Sequence, residues 1–229
     1  MSITFYDLAG AEDERRFSPH CWRAALSLAH KGLDAEAKPW RFTEKEAIAF
    51  SGQGATPVLV DGETTIVDSW AIAEHLDQTY PDRPMLFEGP QARAIARFVK
   101  FWAETTLHPA VLKTILMDLF ERLHEKDKAY FRESREKRFG KPLEQVALPE
   151  ADGVAGVRAA FAPLRATLAD QSFLSGEAPA FADYLAFAPM MWARAVSPIA
   201  LLETDDPVHA WRERMLDAHG GFCRKAMPA

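Results

Sequence analysis

A cluster of helix-breaking residues divides this sequence into two parts with different patterns. Its members are Pro81, Pro84, Gly89 and Pro90. Proline cannot continue a helix. Before the cluster, β-rich segments alternate with helical ones, whereas after it apolar residues recur at the spacing of three and four that is typical of helices. We predict a small α/β domain over residues 1–80, a linker over 81–90 and an all-helical domain over 91–229.

Composition and charge argue against several classes of protein. The 229 residues carry a net charge of −6 and no basic stripe with interleaved aromatic residues, so we predict no nucleic-acid partner. No apolar run approaches the ~18 residues needed to cross a bilayer, and residues 1–5 lack the features of a secretory signal. We therefore predict no membrane association. Cys21 and Cys223 are too few for a disulfide framework or a structural zinc site, which favours a cytoplasmic protein without a bound metal.

The first part begins with a strand and a well-capped helix. The segment "ITFYDL" is typical of a strand. A helix is then predicted from Ser18, which is typical of an N-cap, and Pro19, which is typical of the first helical position. Gly32 is typical of the position just after a helix. A weaker strand, "AEAKPW", and a short helix near residues 43–50 follow.

A β-hairpin and a third helix complete this part. Asp61-Gly62 separates two β-rich runs, which is a strong hairpin signal. Asp68 or Ser69 then caps a helix that extends to about Tyr80. The predicted order is βαβ, then α, then ββα.

Apolar stripes predict several helices in the second part. The first stripe consists of Ile95, Phe98, Val99 and Trp102. The second consists of Leu112, Ile115, Leu116 and Leu119. Because Pro109 lies between these two stripes, we expect it to kink or split that helix. Further helices are predicted between Val154 and Leu168, from Phe181 to Val196, and from Val208 to Met215.

The segment Ser18-Pro19-His20-Cys21 has the spacing of a redox Cys-x-x-Cys motif, with a hydroxyl in place of the attacking thiol. A hydroxyl cannot form a disulfide, so dithiol redox chemistry is not expected. The hydroxyl, the free backbone N–H groups and the positive end of the helix dipole still converge on one point that suits an anion. A thiolate of a bound ligand would be such an anion. The alternative, that Ser18 only caps the helix, is equally consistent with the spacing.

Two further residue pairs, Thr56-Pro57 and Asp68-Ser69, also indicate a ligand site. Pro57 at the start of a strand can leave the backbone N–H and C=O of Thr56 free to pair with a peptide-like ligand. Ser69 and the N–H groups of its helix can hold a carboxylate, and Asp68 can hold an ammonium. Each pair alone is usually structural. Together they describe a site for a small zwitterionic peptide that bears a thiol.

The ordered motifs resemble those of the glutathione transferase superfamily over nearly the whole chain. They are "SPHCWR", "ATPVLVDG", "DSWAIAEHLDQTYP" and "PAFADYLAFA". The resemblance implies a thioredoxin-like domain followed by a helical bundle, glutathione as cosubstrate, and a homodimer. The first motif looks like the serine-type loop of the zeta class. The third motif, with "FADYLAFAPMMWARAV", looks closest to bacterial glutathione-dependent β-aryl etherases and their fungal relatives.

The resemblance also assigns roles to residues. Ser18 matches the serine that ionises the glutathione sulfur, and Thr56 matches the residue whose backbone pairs with the cysteinyl unit. Pro57 matches a cis-proline, while Asp68 and Ser69 match the pair that holds the γ-glutamyl end. Ala55 replaces a lysine of many relatives, so Gln53 and Trp40 are the candidates for the glycyl carboxylate. Trp102, His108 and Leu112 are expected to border the substrate pocket.

This resemblance predicts that the thiolate attacks a hydrophobic, aromatic electrophile. In the etherase subgroup a phenol leaves. Two alternatives remain: a glutathione-dependent isomerase of the zeta type, and a non-catalytic protein that binds phenolic ligands.

Several other polar residues have simpler interpretations. We expect Tyr6 to be a packed strand aromatic, His20 to be exposed in the first helical turn, and Cys21 to be a small buried residue rather than a nucleophile. Ala180 stands where the family's capping box carries Ser or Thr, and Asp183 retains the other half of the box. The charged segment "HEKDKAYFRESREKR" is most simply a solvated helix face.

Overall fold

The computed structural model describes residues 2–229 and contains one four-stranded mixed sheet. Its strands are β1 (Ile3–Leu8), β2 (Glu36–Trp40), β3 (Val58–Asp61) and β4 (Thr64–Val67). The strand order is β2-β1-β3-β4, with β1 parallel to β2 and β3 antiparallel to both β1 and β4. Pro39 lies in β2, and the edge of the sheet tolerates its missing N–H.

Helix α1 (Pro19–Lys31) connects β1 to β2, and α2 (Ser69–Thr79) follows β4. The short helix predicted near residues 43–50 is a 3-10 helix over Lys45–Ser51. Gly32 ends α1 in the left-handed conformation (φ 61°), which is why glycine suits this position. The sheet and these helices confirm the predicted α/β architecture of the first part of the chain.

The rest of the chain is helical, as predicted. Its helices are α3 (Gly89–Trp102), α4 (His108–Arg122), α5 (Glu125–Phe139), α6 (Leu143–Val146), α7 (Glu150–Ala160), α8 (Ala162–Thr167), α9 (Phe181–Val196) and α10 (Pro207–Gly221). Helical geometry is interrupted at residues 218–220 of α10. No helix within residues 2–229 has the length and apolar character required to cross a bilayer.

Pro109 acts on the helix as the sequence predicts. Residues Ala103–Leu107 form a π-helical turn between α3 and α4, in which the N–H of His108 donates to the carbonyl of Ala103. Such turns absorb a residue that cannot join the regular hydrogen-bond ladder. The turn carries Glu104 and is followed by His108, and both residues reach the functional site described below.

Helix α9 lies at the centre of the molecule and is almost entirely buried. It packs against α1 of the first part and against α3 and α4 of the second. Asp183 in its first turn accepts hydrogen bonds from the N–H groups of Leu174 (2.8 Å), Ser175 (3.0 Å) and Ala180 (3.3 Å), and from Trp211 Nε1 (3.0 Å). Half of the capping box therefore persists without a side-chain acceptor at Ala180.

One prediction of burial is wrong in detail. The charge-rich α5 is not simply the solvated face that its sequence predicts, because Phe131 and Asp127 are buried. The Asp127 carboxylate accepts hydrogen bonds from the backbone after β2, including the N–H of Phe42 at 3.0 Å. Charge patterning along α5 did not reveal this contact, since Asp127 meets its partners only through the tertiary fold. On α3, the predicted helix has Val99 buried and Ile95 and Phe98 56% and 73% exposed, so its apolar stripe is not a core face.

Candidate active site

A cavity of about 740 Å³ lies between the α/β part and the helices α4, α5 and α9. One group of lining residues surrounds the start of α1, namely Ser18, His20, Asp68, Glu104, His108 and Trp192. A second group lies around the end of β2 and on α5, and includes Trp40, Phe42, Lys45, Tyr130, Arg135 and Phe139. The first region therefore carries imidazoles and carboxylates with Lys100 beside Glu104, and the second carries cations and aromatic rings.

Ser18 is the N-cap of α1. Its Oγ accepts a hydrogen bond from the backbone N–H of Cys21 at 3.3 Å, and the residue is 5% exposed at the cavity wall. Since Pro19 has no N–H, few donors at this helix end precede Cys21. The hydroxyl hydrogen remains available to a ligand, because accepting a bond uses only an oxygen lone pair.

Thr56 and Pro57 form a cis peptide bond at the start of β3. Thr56 lines the cavity, and its Oγ1 accepts a weak hydrogen bond from Cys21 Sγ at 3.4 Å. The β3–β4 ladder begins at the Val58–Val67 pair, so the backbone of Thr56 lies outside it.

Asp68 has a φ of 75°, which is strained for a residue with a side chain. Its Oδ1 caps α2 by accepting from the N–H groups of Trp70 (2.9 Å) and Ala71 (3.2 Å). Within residues 2–229, the other oxygen, Oδ2, has no hydrogen-bond partner, and Asp68 lines the cavity. The adjacent Ser69 is 1% exposed.

A buried arginine organises the region beside Ser18. Arg23 on α1 is fully buried. Its Nη1 donates to Glu104 Oε1 at 2.8 Å and to His20 Nδ1 at 3.3 Å. Its Nη2 donates to His108 Nε2 at 3.2 Å. Lys100 Nζ donates to the other oxygen of Glu104 at 2.8 Å. One guanidinium thus holds two histidines and one carboxylate at the cavity wall.

Burial and the positive charge of Arg23 lower the pKa of both histidines. The pKa of His20 falls from 6.5 to about 4, and that of His108 to about 2. Burial alone would raise the pKa of Glu104, but hydrogen bonds from Lys100 and Arg23 outweigh it and hold that pKa below its ordinary value. At neutral pH the cluster therefore contains two neutral imidazoles and an ionised carboxylate.

The second region carries cations over aromatic rings. Lys45 Nζ lies 4.9 Å from the ring centroid of Trp40 and 5.2 Å from that of Tyr130. Arg135 Cζ lies 5.3 Å from the ring centroid of Phe42. Neither cation forms a salt bridge with a carboxylate of the described chain, residues 2–229, so this region attracts the anionic end of a ligand.

The structure brings six of the predicted site residues to the cavity wall: Ser18, Trp40, Thr56, Asp68, His108 and Leu112. The others, Gln53, Pro57, Ser69 and Trp102, are not among its lining residues.

The structure also bears on the interpretations of His20, Tyr6 and Cys21. The prediction of an exposed His20 is wrong, since its ring faces the cavity cluster, 5.4 Å from the ring centroid of His108. Tyr6 packs against Phe50 with ring centroids 5.6 Å apart. Cys21 is fully buried, and burial raises its thiol pKa far above 9.0, which makes it a poor nucleophile.

Sequence reasoning missed Arg23, Glu104 and Lys45. A weak signal existed for the first two, because Arg23 lies one helical turn after His20, and Glu104 one turn before His108. Residues 2–229 contain no group of three or more His, Cys, Asp or Glu side chains arranged to hold a metal ion.

Comparison with protein families gives matches over most of the chain. Residues 14–84 match "Glutathione S-transferase, N-terminal domain", and residues 94–227 match "Glutathione S-transferase, C-terminal domain".

Curated relatives match shorter stretches. A glutathione S-transferase-like protein of Aspergillus flavus is 30% identical over 171 residues, which are 69% of this chain and 57% of that protein. Maleylacetoacetate isomerase of Mus musculus is 33% identical over 106 residues, which are 41% of this chain and 49% of that protein. The matched part of the chain thus spans about half the length of these relatives.

Solved structures match the whole fold. A glutathione transferase from Phanerochaete chrysosporium has a TM-score of 0.78 and 24% identity, with 99% of this chain and 95% of that chain covered. A glutathione S-transferase of Ceriporiopsis subvermispora, solved in complex with glutathione, has the same TM-score, identity and coverage. At this identity the likeness concerns the fold.

Proposed function

Because the chain belongs to the glutathione S-transferase family, we propose that it is a serine-type transferase that binds glutathione and activates its thiolate. The observation that carries this proposal is the position of Ser18, whose hydroxyl caps α1 at the cavity wall. A hydroxyl donor and the positive end of a helix dipole both favour the ionised form of a bound thiol. Ser18 and the start of α1 thereby lower the thiol pKa towards neutrality.

Glutathione extends along the groove from Asp68 to Lys45 in this proposal. The free Oδ2 of Asp68 receives the ammonium, and Ser69 receives the γ-glutamyl carboxylate through its hydroxyl and its own backbone N–H, since the N–H groups of Trp70 and Ala71 already donate to Asp68. The backbone of Thr56 pairs with the cysteinyl unit, which brings its sulfur to Ser18.

Lys45 is our candidate for the glycyl carboxylate, in preference to Gln53. Its ammonium lines the cavity over the Trp40 ring and has no salt bridge to any carboxylate of residues 2–229. It donates one hydrogen bond to the carbonyl of Gly54, and its other N–H groups remain for a ligand. The Trp40 side chain itself is not a free donor, because Nε1 already donates to the carbonyl of Glu44 at 2.6 Å. The Gln53 side chain is exposed, and this residue is not part of the cavity wall.

We propose that the electrophile is hydrophobic and aromatic, with β-aryl ether cleavage as the reaction. His108, Leu112 and Trp192 form an aromatic and apolar wall beside Ser18, with 6.2 Å between the ring centroids of His108 and Trp192. The thiolate forms a bond to the carbon that carries the aryl-ether oxygen. The carbon–oxygen bond breaks, and its electron pair leaves with the phenoxide.

A second candidate is glutathione-dependent isomerisation. It is favoured by the similarity to the maleylacetoacetate isomerase of Mus musculus and by the zeta-like loop that begins at Ser18. In that reaction the thiolate adds to a double bond and departs after rotation, so glutathione is not consumed.

We further propose a cytoplasmic homodimer that associates through α3. Ile95, Phe98 and Phe101 are 56%, 73% and 51% exposed on this helix. Their spacing of three places them along one helix face. An apolar face of this kind on a monomer indicates an interface, and a second copy of the chain is the occupant that the family resemblance implies. Light scattering should give a dimer, and Phe98→Glu should give a monomer.

Product analysis tests the proposed chemistry. The protein is incubated with glutathione and either a β-aryl-ether dimer or a cis-maleyl compound, and the products are identified by mass spectrometry. Ether cleavage yields a glutathione adduct and a phenol. Isomerisation yields the trans compound with glutathione unchanged. Binding of both ligands without turnover would instead indicate a non-catalytic protein.

A further inference from the structure

The hydrogen bonds of Arg23 determine which nitrogen of each neighbouring histidine carries the proton. A guanidinium only donates hydrogen bonds. His20 therefore accepts with Nδ1, and His108 accepts with Nε2. With both imidazoles neutral, the proton of His20 is on Nε2 and that of His108 is on Nδ1.

These two N–H groups are unoccupied donors beside the cavity. Within the described residues, neither His20 Nε2 nor His108 Nδ1 has a hydrogen-bond acceptor. Both residues line the same cavity as Ser18, and their rings are in edge contact with 5.4 Å between centroids. Neither nitrogen is buried without a partner in the described chain, so both N–H groups are open to the cavity, where an acceptor atom of a ligand can reach them.

We infer that His20 and His108, oriented by Arg23, form a pair of N–H donors that binds the oxygen on which negative charge develops during the reaction. This inference rests on the proposed function. As the glutathione thiolate attacks, the electron pair of the breaking carbon–oxygen bond moves onto the phenolic oxygen. The two N–H groups bind that oxygen and transfer no proton, and the phenoxide takes its proton from water after release. Preorganised donors of this kind stabilise developing charge without reorganisation.

The surrounding charges fit this role. Arg23 and Lys100 are positive, and Glu104 and Asp68 are the carboxylates near His20. Glu104 is fully engaged by Arg23 and Lys100, so it does not compete for the imidazole protons. The cluster presents neutral donors, backed by a buried cation, to an oxygen anion. It follows that substrates whose leaving group is an oxygen anion are preferred over those without one.

The test uses 4-nitrophenol as a probe of the oxygen site. Its absorbance is titrated against pH when bound to the protein in the presence of glutathione. Donors that favour the phenoxide lower the pKa of the bound phenol by about one unit, a tenfold preference. We expect this shift in the wild type and in His108→Gln, which keeps an acceptor for Arg23 and an N–H donor. It should be clearly smaller in His108→Leu, in which only His20 still donates, while His209→Leu on α10 serves as the distant control.

The outcomes separate this inference from the proposed function. An unshifted phenol in the wild type, or an equal shift in His108→Leu with its fold intact by circular dichroism, would overturn the donor pair. A shift that depends on His108 in a protein that forms no glutathione product would uphold the donor pair while the proposed chemistry fails. With aryl ethers, His108→Leu should lose at least tenfold in turnover for poorly acidic phenols and under threefold for 4-nitrophenol.

Discussion

Ser18 Oγ accepts its hydrogen bond from the N–H of Cys21 at 3.3 Å, so the residue that stands in place of a redox thiol is tied to the second position of the motif. The bond orients the hydroxyl oxygen towards the helix and leaves its hydrogen free. Capping and donation to a ligand are therefore compatible roles for the same side chain. This geometry separates the two functions of the motif: Ser18 contacts the cavity, and Cys21 lies in the core.

Replacing the buried thiol should have little effect on catalysis. Cys21 is fully buried, and burial raises its pKa, so almost no thiolate exists near neutral pH. We expect Cys21→Ala to retain turnover within about threefold of the wild type in steady-state assays. A loss of activity with an unchanged circular dichroism spectrum would revive covalent thiol chemistry at this position.

Removing the hydroxyl of Ser69 should weaken glutathione binding. A hydrogen bond to a charged group contributes ~1.5–3 kcal/mol, so Ser69→Ala should raise the Kd at least tenfold (~1.4 kcal/mol) by calorimetry. Ser172→Ala, on an exposed loop, is the matched control and should bind as the wild type does. Equal affinity of both variants would remove Ser69 from the site, although it lies next to Asp68.

Restoring the missing acceptor at the start of α9 should stabilise the protein. Ala180 occupies the N-cap in an extended conformation, with φ −137°. A serine there can accept from the N–H of Asp183, and a cap of this type contributes ~1 kcal/mol. Ala180→Ser should therefore raise the urea midpoint, whereas Ala180→Val, which adds bulk without an acceptor, should not. Equal effects of the two substitutions would contradict the capping explanation.

Stability should fall as the pH is lowered from 6.5 towards 5. Burial lowers the pKa of His20 and His30 from 6.5 to about 4, and that of His108 to about 2. In this window the unfolded chain binds protons at these positions and the native chain does not, so acid favours unfolding. Asp7 opposes this, because burial raises its pKa to about 6 and the native chain then holds the extra proton.

Burial also lowers the pKa of His219 and raises that of Asp183, so four histidines outweigh two carboxyl groups and the net dependence keeps its sign. Urea unfolding at pH 7 and pH 5 measures it, and His108→Gln should show a shallower dependence because it removes one of these histidines. A free energy of unfolding that is constant or higher at pH 5 would contradict the assignment of neutral buried imidazoles.

Local signals predicted much of this fold because they act through neighbouring residues. The Ser18-Pro19 start of α1, the Asp61-Gly62 turn and the break at Pro109 all follow from backbone chemistry within a few positions. These features required no knowledge of tertiary contacts.

The Arg23 cluster could not be predicted in the same way. Glu104 is 81 positions from Arg23 and His108 is 85, so their contact depends on how α1 packs beside the π-helical turn. From the sequence alone, His20 resembles an exposed residue of the first helical turn. In the fold, its Nδ1 accepts a hydrogen bond from the buried Arg23, which also binds Glu104, so the His20 ring belongs to the cavity wall.

The most direct test of thiolate activation is a pH titration of the ultraviolet absorbance of glutathione bound to the wild type, Ser18→Ala and Tyr6→Phe. Removing one preorganised donor can reduce turnover ~10²-fold. We predict that Ser18→Ala raises the pKa of the bound thiol and lowers turnover with an aromatic electrophile, while Tyr6→Phe, whose ring packs on Phe50, matches the wild type. A titration that moves in Tyr6→Phe, or that stays unchanged in Ser18→Ala while glutathione still binds, would contradict the role of Ser18.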